Sequence, residues 1–196
     1  MPKSLKLKLE KIRNQKYKSK DFIIADAKDG DLAMGITTPG PQRDNQGKII
    51  QGFKKLKDYK KAMEVMTKSN LVDIMLMSAS VGESLVEKKI FKSSLVTPAI
   101  RMNDTSDIWL MRNSNYRSTN PRPFRSARID RVSKLVNLGL FSVTFSKNVD
   151  FDLAMLNSYR NFRVESLKYK FSHFLEVFNP PIDVGMNNEE LGDYIN

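Results

Sequence analysis

Four stretches of the chain gather side chains that could move protons, attack a carbonyl or hold an anion. Asp26, Lys28, Asp29 and Asp31 put three carboxylates and an ammonium within six positions. That composition suits acid/base work, or one hard cation such as Mg²⁺ held by oxygens; a solvated turn closed by Asx hydrogen bonds is the competing reading. Arg101, Asn103 and Asp104 combine a guanidinium able to grip phosphate or carboxylate at two points with an amide that can orient a hydroxyl. An Arg–Asp pair bracing a loop would use the same residues. Glu176 stands between Leu175 and Val177, with Phe174 and Phe178 at alternate positions. Turned inward, it would sit in low dielectric with the raised pKa that a general acid/base needs near neutrality. Thr144, Ser146 and Lys147 form the fourth group. Lys28 and Lys147 are the lysines placed to attack a carbonyl, a role that requires desolvation or a cationic neighbour; for Lys147 an exposed loop is the simpler reading.

Other chemistry is excluded by what the chain lacks. It has no cysteine, which removes disulfides, thiolate nucleophiles, iron–sulfur clusters and thiolate zinc sites. His173 is the single histidine, too few for a histidine-rich metal site and best read as a hydrogen-bonded structural residue. At 196 residues, 40% hydrophobic and 28% charged, the chain can bury a core without staples. It has no apolar run near the roughly 18–20 residues of a membrane span.

The net charge of +11 and pI near 9.7 favour anionic partners. Much of the excess leads the chain: Lys3, Lys6, Lys8, Lys11, Arg13, Lys16, Lys18 and Lys20 stand against Glu10 alone. Leu5, Leu9 and Ile12 within it suggest a short amphipathic helix, and no secretory apolar stretch is present, so a cytoplasmic protein is expected. A second basic tract, Arg112, Arg117, Arg122, Arg125, Arg128 and Arg131 with Tyr116 and Phe124 interleaved, could track a phosphate backbone while its rings stack on bases. It reads more simply as a lid and an exposed helix start, with Asp107 to Trp109 pinning the loop.

The elements that must position these groups alternate. Asp21-Phe-Ile-Ile-Ala-Asp26 reads as a buried strand ending in the polar loop 27–31, and residues 35–53, rich in Gly and Pro, as a long loop. Leu56, Tyr59, Met63 and Met66 mark an amphipathic helix ending near Asn70. Leu71 to Met77 is an apolar strand broken only by Asp73; Ser78 ends it, and a helix over about 82–91 follows. Leu95 to Ile100 is a third strand, weakened by Pro98. Ser126 suits the cap of a helix carrying Ile129, Val132 and Val136, with Gly139 as its left-handed stop. Leu140 to Phe145 is strand four, Asp150 or Asp152 caps a long helix, and His173 to Phe178 is strand five, ending at Asn179. Asn188 to Ile195 starts another helix. Strands interleaved with helices imply an α/β protein with a parallel sheet. Neither a G-x-G-x-x-G after the first strand nor a P-loop is present. The spacing of about 32 residues per unit matches a (β/α)8 barrel of ~250 residues.

The strings Asp21-Phe-Ile-Ile-Ala-Asp-Ala-Lys-Asp-Gly-Asp31, Leu71-Val-Asp-Ile-Met-Leu-Met-Ser78, Val96-Thr-Pro-Ala-Ile-Arg-Met-Asn-Asp-Thr105, Ser126-Ala-Arg-Ile-Asp130 and Phe174-Leu-Glu-Val-Phe-Asn179 resemble an uncharacterised bacterial family of aldolase-type (β/α)8 barrels. That family is distantly similar to deoxyribose-phosphate and tagatose-bisphosphate aldolases. The resemblance covers about residues 21–196 and implies the N-terminal part of such a barrel, about five of eight units, behind a basic extension over 1–20. It implies a carbon–carbon lyase for a small, phosphorylated carbonyl compound, without a cofactor. Asp26 and Glu176 would then move protons, Arg101 would hold the anionic group, and Asn103, Ser78, Thr144 and Asn179 would line the substrate at strand ends. The relatives' Schiff-base lysine lies on a sixth strand, which would fall beyond Asn196, so the chain as given is expected to be truncated and inactive, with its open edges covered by a complementary chain or another copy. A nucleic-acid-binding module using the two basic tracts, and a metal-dependent lyase using Asp26, Asp29 and Asp31, are the alternatives; nucleic acid is disfavoured and no membrane partner is expected.

Overall fold

A computed structural model describes residues 2–103 and 119–195. The chain divides into two compact units, Met1–Ile100 and Arg101–Asn196. It is a mixed α/β protein in which every long strand is parallel to its neighbour. Among the described residues no helix is long and apolar enough to cross a membrane.

The first unit opens with α1 (Ser4–Arg13), followed by β1 (Ala25–Lys28), α2 (Asp31–Met34) and a 3-10 turn, Gly35–Thr37. A hairpin of β2 (Pro41–Arg43) and β3 (Ile49–Phe53) leads into α3 (Leu56–Ser69), β4 (Ile74–Met77), α4 (Ala79–Glu87) and β5 (Thr97–Arg101). Parallel pairing places β4 between β1 and β5, with Ala25 opposite Ile74 and Ile74 opposite Thr97. Flanked on both edges and packed on both faces, β4 buries all four residues. This is why its sequence is apolar without alternation.

Helix α1 is docked through its basic residues rather than merely solvated. Ser4 N–H donates to the Leu95 carbonyl at 3.0 Å, and Lys3 Nζ donates to the carbonyls of Phe91 (2.5 Å) and Ser94 (2.7 Å). Lys8 Nζ donates to Asp73 (2.7 Å) and to the Phe22 carbonyl (2.8 Å), and Lys11 to Asp21 (2.6 Å). Asp73, 3% exposed, also accepts the Ile24 N–H at 2.8 Å, so the one polar interruption of that apolar run ties the starts of two strands to α1.

Several expectations are corrected here. The first strand spans Ala25–Lys28, so Asp26 and Lys28 lie within it, while Phe22, Ile23 and Ile24 are exposed. Among the described residues β1 has a strand neighbour on one side only. The presumed loop 35–53 contains the β2–β3 hairpin. Its turn forms because Asp44 accepts the N–H groups of Gln46 and Lys48, both at 2.9 Å, and Gly47 takes a left-handed φ of +83°. Helix α4 begins at Ala79, earlier than expected.

The second unit contains α5 (Ile129–Val132), β6 (Leu138–Thr144), α6 (Val149–Lys168), β7 (Ser172–Phe178) and α7 (Asn188–Ile195). β6 and β7 pair in parallel from Leu138 opposite Ser172 to Thr144 opposite Phe178. Residues 101–103 run beside β6: Met102 N–H donates to the Leu140 carbonyl at 2.8 Å. On the other face Phe141 stacks on Phe162 of α6 at 4.9 Å and meets Tyr159 at 5.2 Å.

The helix expected after Ser126 shrinks to the single turn of α5, capped at Arg128. Gly139 belongs to β6, not to a helix stop. A Cβ there would lie 2.6 Å from both Met102 Cγ and Phe171 Cε1, so the glycine serves close approach. Helix α6 is capped by Asn148, whose side chain accepts the Phe151 N–H, whereas Asp150 and Asp152 sit in its first turn. Asp104, Asp107, Trp109, Arg112, Tyr116 and Arg117 lie outside the described residues.

Candidate functional site

In the first unit the carboxyl ends of β1 and β4 carry a joined polar cluster. Alternation along β1 puts Asp26 and Lys28 on its half-buried face, and Lys28 Nζ donates to Asp26 Oδ1 at 2.6 Å. The second oxygen, Asp26 Oδ2, is buried and has no hydrogen-bond partner among the described residues. Ser78 directly follows β4 at the N-cap position of α4, yet its hydroxyl does not cap that helix. It donates instead to Asp31 Oδ2 at 2.6 Å, leaving Asp31 Oδ1 buried without a partner. Asp29 is buried beside them.

Tyr59 completes the cluster from α3. Burial first, then the negative charges of Asp31, Asp29 and Asp26, push its phenol up to about 12, against the opposing Gly30 backbone hydrogen bond. The phenol is therefore protonated at neutral pH, so the cluster holds a proton donor, carboxylates and an amine. Among the described residues no three Asp, Glu or His side chains gather to hold a metal ion. Of the three carboxylates that the sequence offers as a Mg²⁺ set, Asp26 is turned to Lys28 and Asp31 to Ser78. Asp31 also borders an open cavity of about 460 Å³, lined further by Gly35, Ile36, Pro39, Lys54, Lys55 and Leu56.

The second unit has a cluster of its own. Arg101, 6% exposed, directs Nη1 to the Ser142 hydroxyl and to Glu176 Oε2 at 3.4 Å. Ser142 Oγ donates to the same Glu176 oxygen at 2.8 Å, and the guanidinium lies over the Phe178 ring at 5.9 Å. Glu176 shares the half-buried face of β7 with Phe174 and Phe178, but its side chain is 39% exposed. Its surroundings are thus a guanidinium, a hydroxyl and solvent, not the apolar enclosure expected from its neighbours. Asn103 uses its amide on the β6 backbone, donating to the Ser142 carbonyl at 2.9 Å and accepting the Ser142 N–H at 2.8 Å. Thr144 is buried two residues beyond Ser142 on the same face, and its hydroxyl has no partner among the described residues.

Two candidates stand apart from these clusters. Lys147 is exposed, takes a left-handed φ of +58° and points Nζ at the Val184 carbonyl at 3.3 Å. Asn179 is exposed just past β7. His173 packs against Phe162 at 5.0 Å, with the Tyr159 hydroxyl 3.4 Å from its Nε2. Of the arginine tract, Arg122 lies over Phe151 at 4.6 Å, Arg125 pairs with Glu165, and Arg128 pairs with Asp130 at 2.7 Å. Arg122 and Arg125 thus pack within their own unit, while Arg128 and Arg131 are exposed beside Asp130.

Tyr59 and Ser142 are the site residues that sequence reasoning missed. Tyr59 fell on the apolar stripe of its helix, where a phenol counts as core. Ser142 left a trace: with Thr144 it makes the alternate positions of an otherwise apolar strand polar, the pattern of a strand whose two faces meet different surroundings. No family model, curated protein or solved structure matches this chain.

Proposed function

We propose that the chain carries the chemistry of an aldolase-like carbon–carbon lyase for a small phosphorylated carbonyl compound, on an incomplete (β/α) barrel of aldolase type. One observation supports this reading above the others: the Lys28 amine lies 2.6 Å from Asp26 at the carboxyl end of a parallel strand, beside a phenol held in its protonated form. In parallel α/β proteins the carboxyl ends of strands are where reacting groups collect. Asp26 gives Lys28 an adjacent acceptor for its proton, and among the described residues Lys147 has no carboxylate at ion-pair distance, which favours Lys28 as the nucleophile within this chain.

The reaction follows from the groups. The Lys28 ammonium passes a proton to the Asp26 carboxylate beside it, which hands it on to solvent, and the free amine attacks the carbonyl carbon; the C=O π pair moves to oxygen, which takes a proton from Tyr59. The nitrogen, positively charged after the attack, gives up a proton that returns to the Tyr59 phenolate; a further proton, from solvent, then releases the oxygen as water while the nitrogen lone pair forms the protonated imine. The Asp26 carboxylate then removes the proton of the β-hydroxyl, the Cα–Cβ bond breaks, an aldehyde leaves and the electron pair neutralises the iminium as an enamine. Protonation of the enamine carbon and hydrolysis restore Lys28.

The test is to incubate the chain with glyceraldehyde 3-phosphate and borohydride and to map the reduced adduct by mass spectrometry. A single dominant adduct on Lys28, lost in Lys28→Met, slowed in Asp26→Asn and kept in Lys147→Met, is the expected result. Labelling spread evenly over exposed lysines, or none, overturns the proposal.

A further inference from the structure

The β2–β3 hairpin and the start of α3 enclose an open groove of about 540 Å³ lined by Gln42, Arg43, Lys54, Lys55, Lys57 and Asp58. Four cations face one carboxylate there, and Asp58 accepts the Lys55 N–H at 2.9 Å. The 14-residue helix α3 begins at Leu56 and brings the positive end of its dipole to the same place. Gln42 is held across the hairpin by donating to the Phe53 carbonyl at 2.9 Å, and Arg43 by donating to the Gly47 carbonyl at 2.6 Å. The groove wall is thereby built on a braced element.

Lys54 and Lys55 also line the cavity that Asp31 borders. Asp31 in turn belongs to the cluster of Lys28, Asp26, Ser78 and Tyr59. The groove and the cavity thus share Lys54 and Lys55, and Asp31 links that cavity to the carboxylate–amine–phenol cluster within the same unit; α3 carries Lys57 at one end and Tyr59 less than a turn later. By contrast, the guanidinium of Arg101 in the other unit faces a carboxylate of its own.

We infer that the groove between the hairpin and α3 is the phosphate-binding subsite for a small phosphorylated carbonyl compound whose carbonyl end lies in the Asp31 cavity. The inference rests on the lyase reading above and adds the element that selects for phosphate. Two or three ammonium and guanidinium groups around a phosphate form charge-assisted hydrogen bonds, and the cavity sizes match those of small-ligand pockets.

The experiment has two arms on the full chain. In the first, inorganic phosphate is titrated while backbone amides are followed by NMR; shifts confined to residues 42–43 and 54–58 are expected. In the second, borohydride-trapped labelling of Lys28 is compared for glyceraldehyde 3-phosphate and for glyceraldehyde. The phosphorylated aldehyde should label about ten-fold faster at equal, subsaturating concentration. Arg43→Gln/Lys57→Gln, both exposed positions outside the Asp31 cavity, should abolish that preference. Equal rates for the two aldehydes, or a preference that survives the double substitution, overturn the subsite while the lyase reading stands. No Lys28 adduct with either aldehyde overturns the lyase reading, and with phosphate shifts still confined to the groove it leaves the anion site supported. Displacement of phosphate by a single-stranded oligonucleotide at far lower concentration would instead make the groove a polyanion surface and overturn the inference.

Discussion

Replacing Asp73 with asparagine tests whether the basic N-terminal helix is held by one buried carboxylate. Oδ2 of Asp73 receives both the Ile24 N–H (2.8 Å) and Lys8 Nζ (2.7 Å). Burial alone would raise this carboxyl, but the Ile24 amide, Lys8 and the Ser4 hydroxyl outweigh it and hold it below the usual range. A hydrogen bond to a charged group contributes about 1.5–3 kcal/mol, roughly twice a neutral one. Asparagine keeps the shape and part of the neutral bonding, and Lys8 is partly exposed, which screens its share. Asp73→Asn should therefore cost about 2–3 kcal/mol at pH 7, reducing the hydrogen-exchange protection of the Ser4 and Ile24 amides by roughly thirty- to hundred-and-fifty-fold. Because the folded carboxyl is depressed, its contribution is complete above the unfolded value near 3.8 and is lost as pH falls through the folded value. The gap between parent and variant should narrow from pH 5 to pH 3. A gap below about 0.5 kcal/mol at pH 7, or one unchanged by acid, would refute the reasoning.

Two further outcomes follow from the second unit. Gly139→Ala should cost about 1–3 kcal/mol by overpacking, seen as a lower thermal midpoint by circular dichroism, because its Cβ would meet Met102 Cγ and Phe171 Cε1 at 2.6 Å; an unchanged midpoint would show that the ring moves freely aside. His173 is held below its usual value by burial first and then by Arg163, so the unfolded chain takes up the proton before the folded one does. Stability should fall as pH drops below about 6.5, His173→Gln should flatten that slope, and the His173 NMR titration midpoint should lie under 6.5.

The strands that could be read from sequence are those whose surroundings are uniform. Ile74–Met77 is buried on both faces and Leu138–Thr144 nearly so, and both announce themselves as apolar runs; β7 shows the alternation of a strand with unlike faces. Phe22 to Ile24 has the same composition but lies before an edge strand, where composition carries no information about what covers it. The β2–β3 hairpin escaped because its glycines, read as breakers, are what its turn requires. Gly139 was misplaced for a similar reason: its role depends on Met102 and Phe171, residues distant in sequence. At the sites, the pairing of Asp31 with Ser78 and of Arg101 with Glu176 joins residues that were singled out separately. Tyr59, near Asp31, and Ser142, the shared partner of Arg101 and Glu176, were hidden because a tyrosine on an apolar stripe and a serine in an apolar strand are most often packing residues.

The docking of α1 imposes an order of events on synthesis. The carbonyls that receive Lys3 and Ser4 lie 88 and 91 positions downstream, so α1 is made well before the partners that hold its start. Until Leu95 has been made, the helix has nothing to lean on, and an isolated segment of ten residues is too short to persist in water. The helix is therefore secured late relative to its own synthesis, and shutting so long a loop slows assembly of the first unit. Through that interval Lys3 is without the Phe91 and Ser94 carbonyls, and the net positive charge of the segment keeps nascent chains apart while the apolar strands are still uncovered.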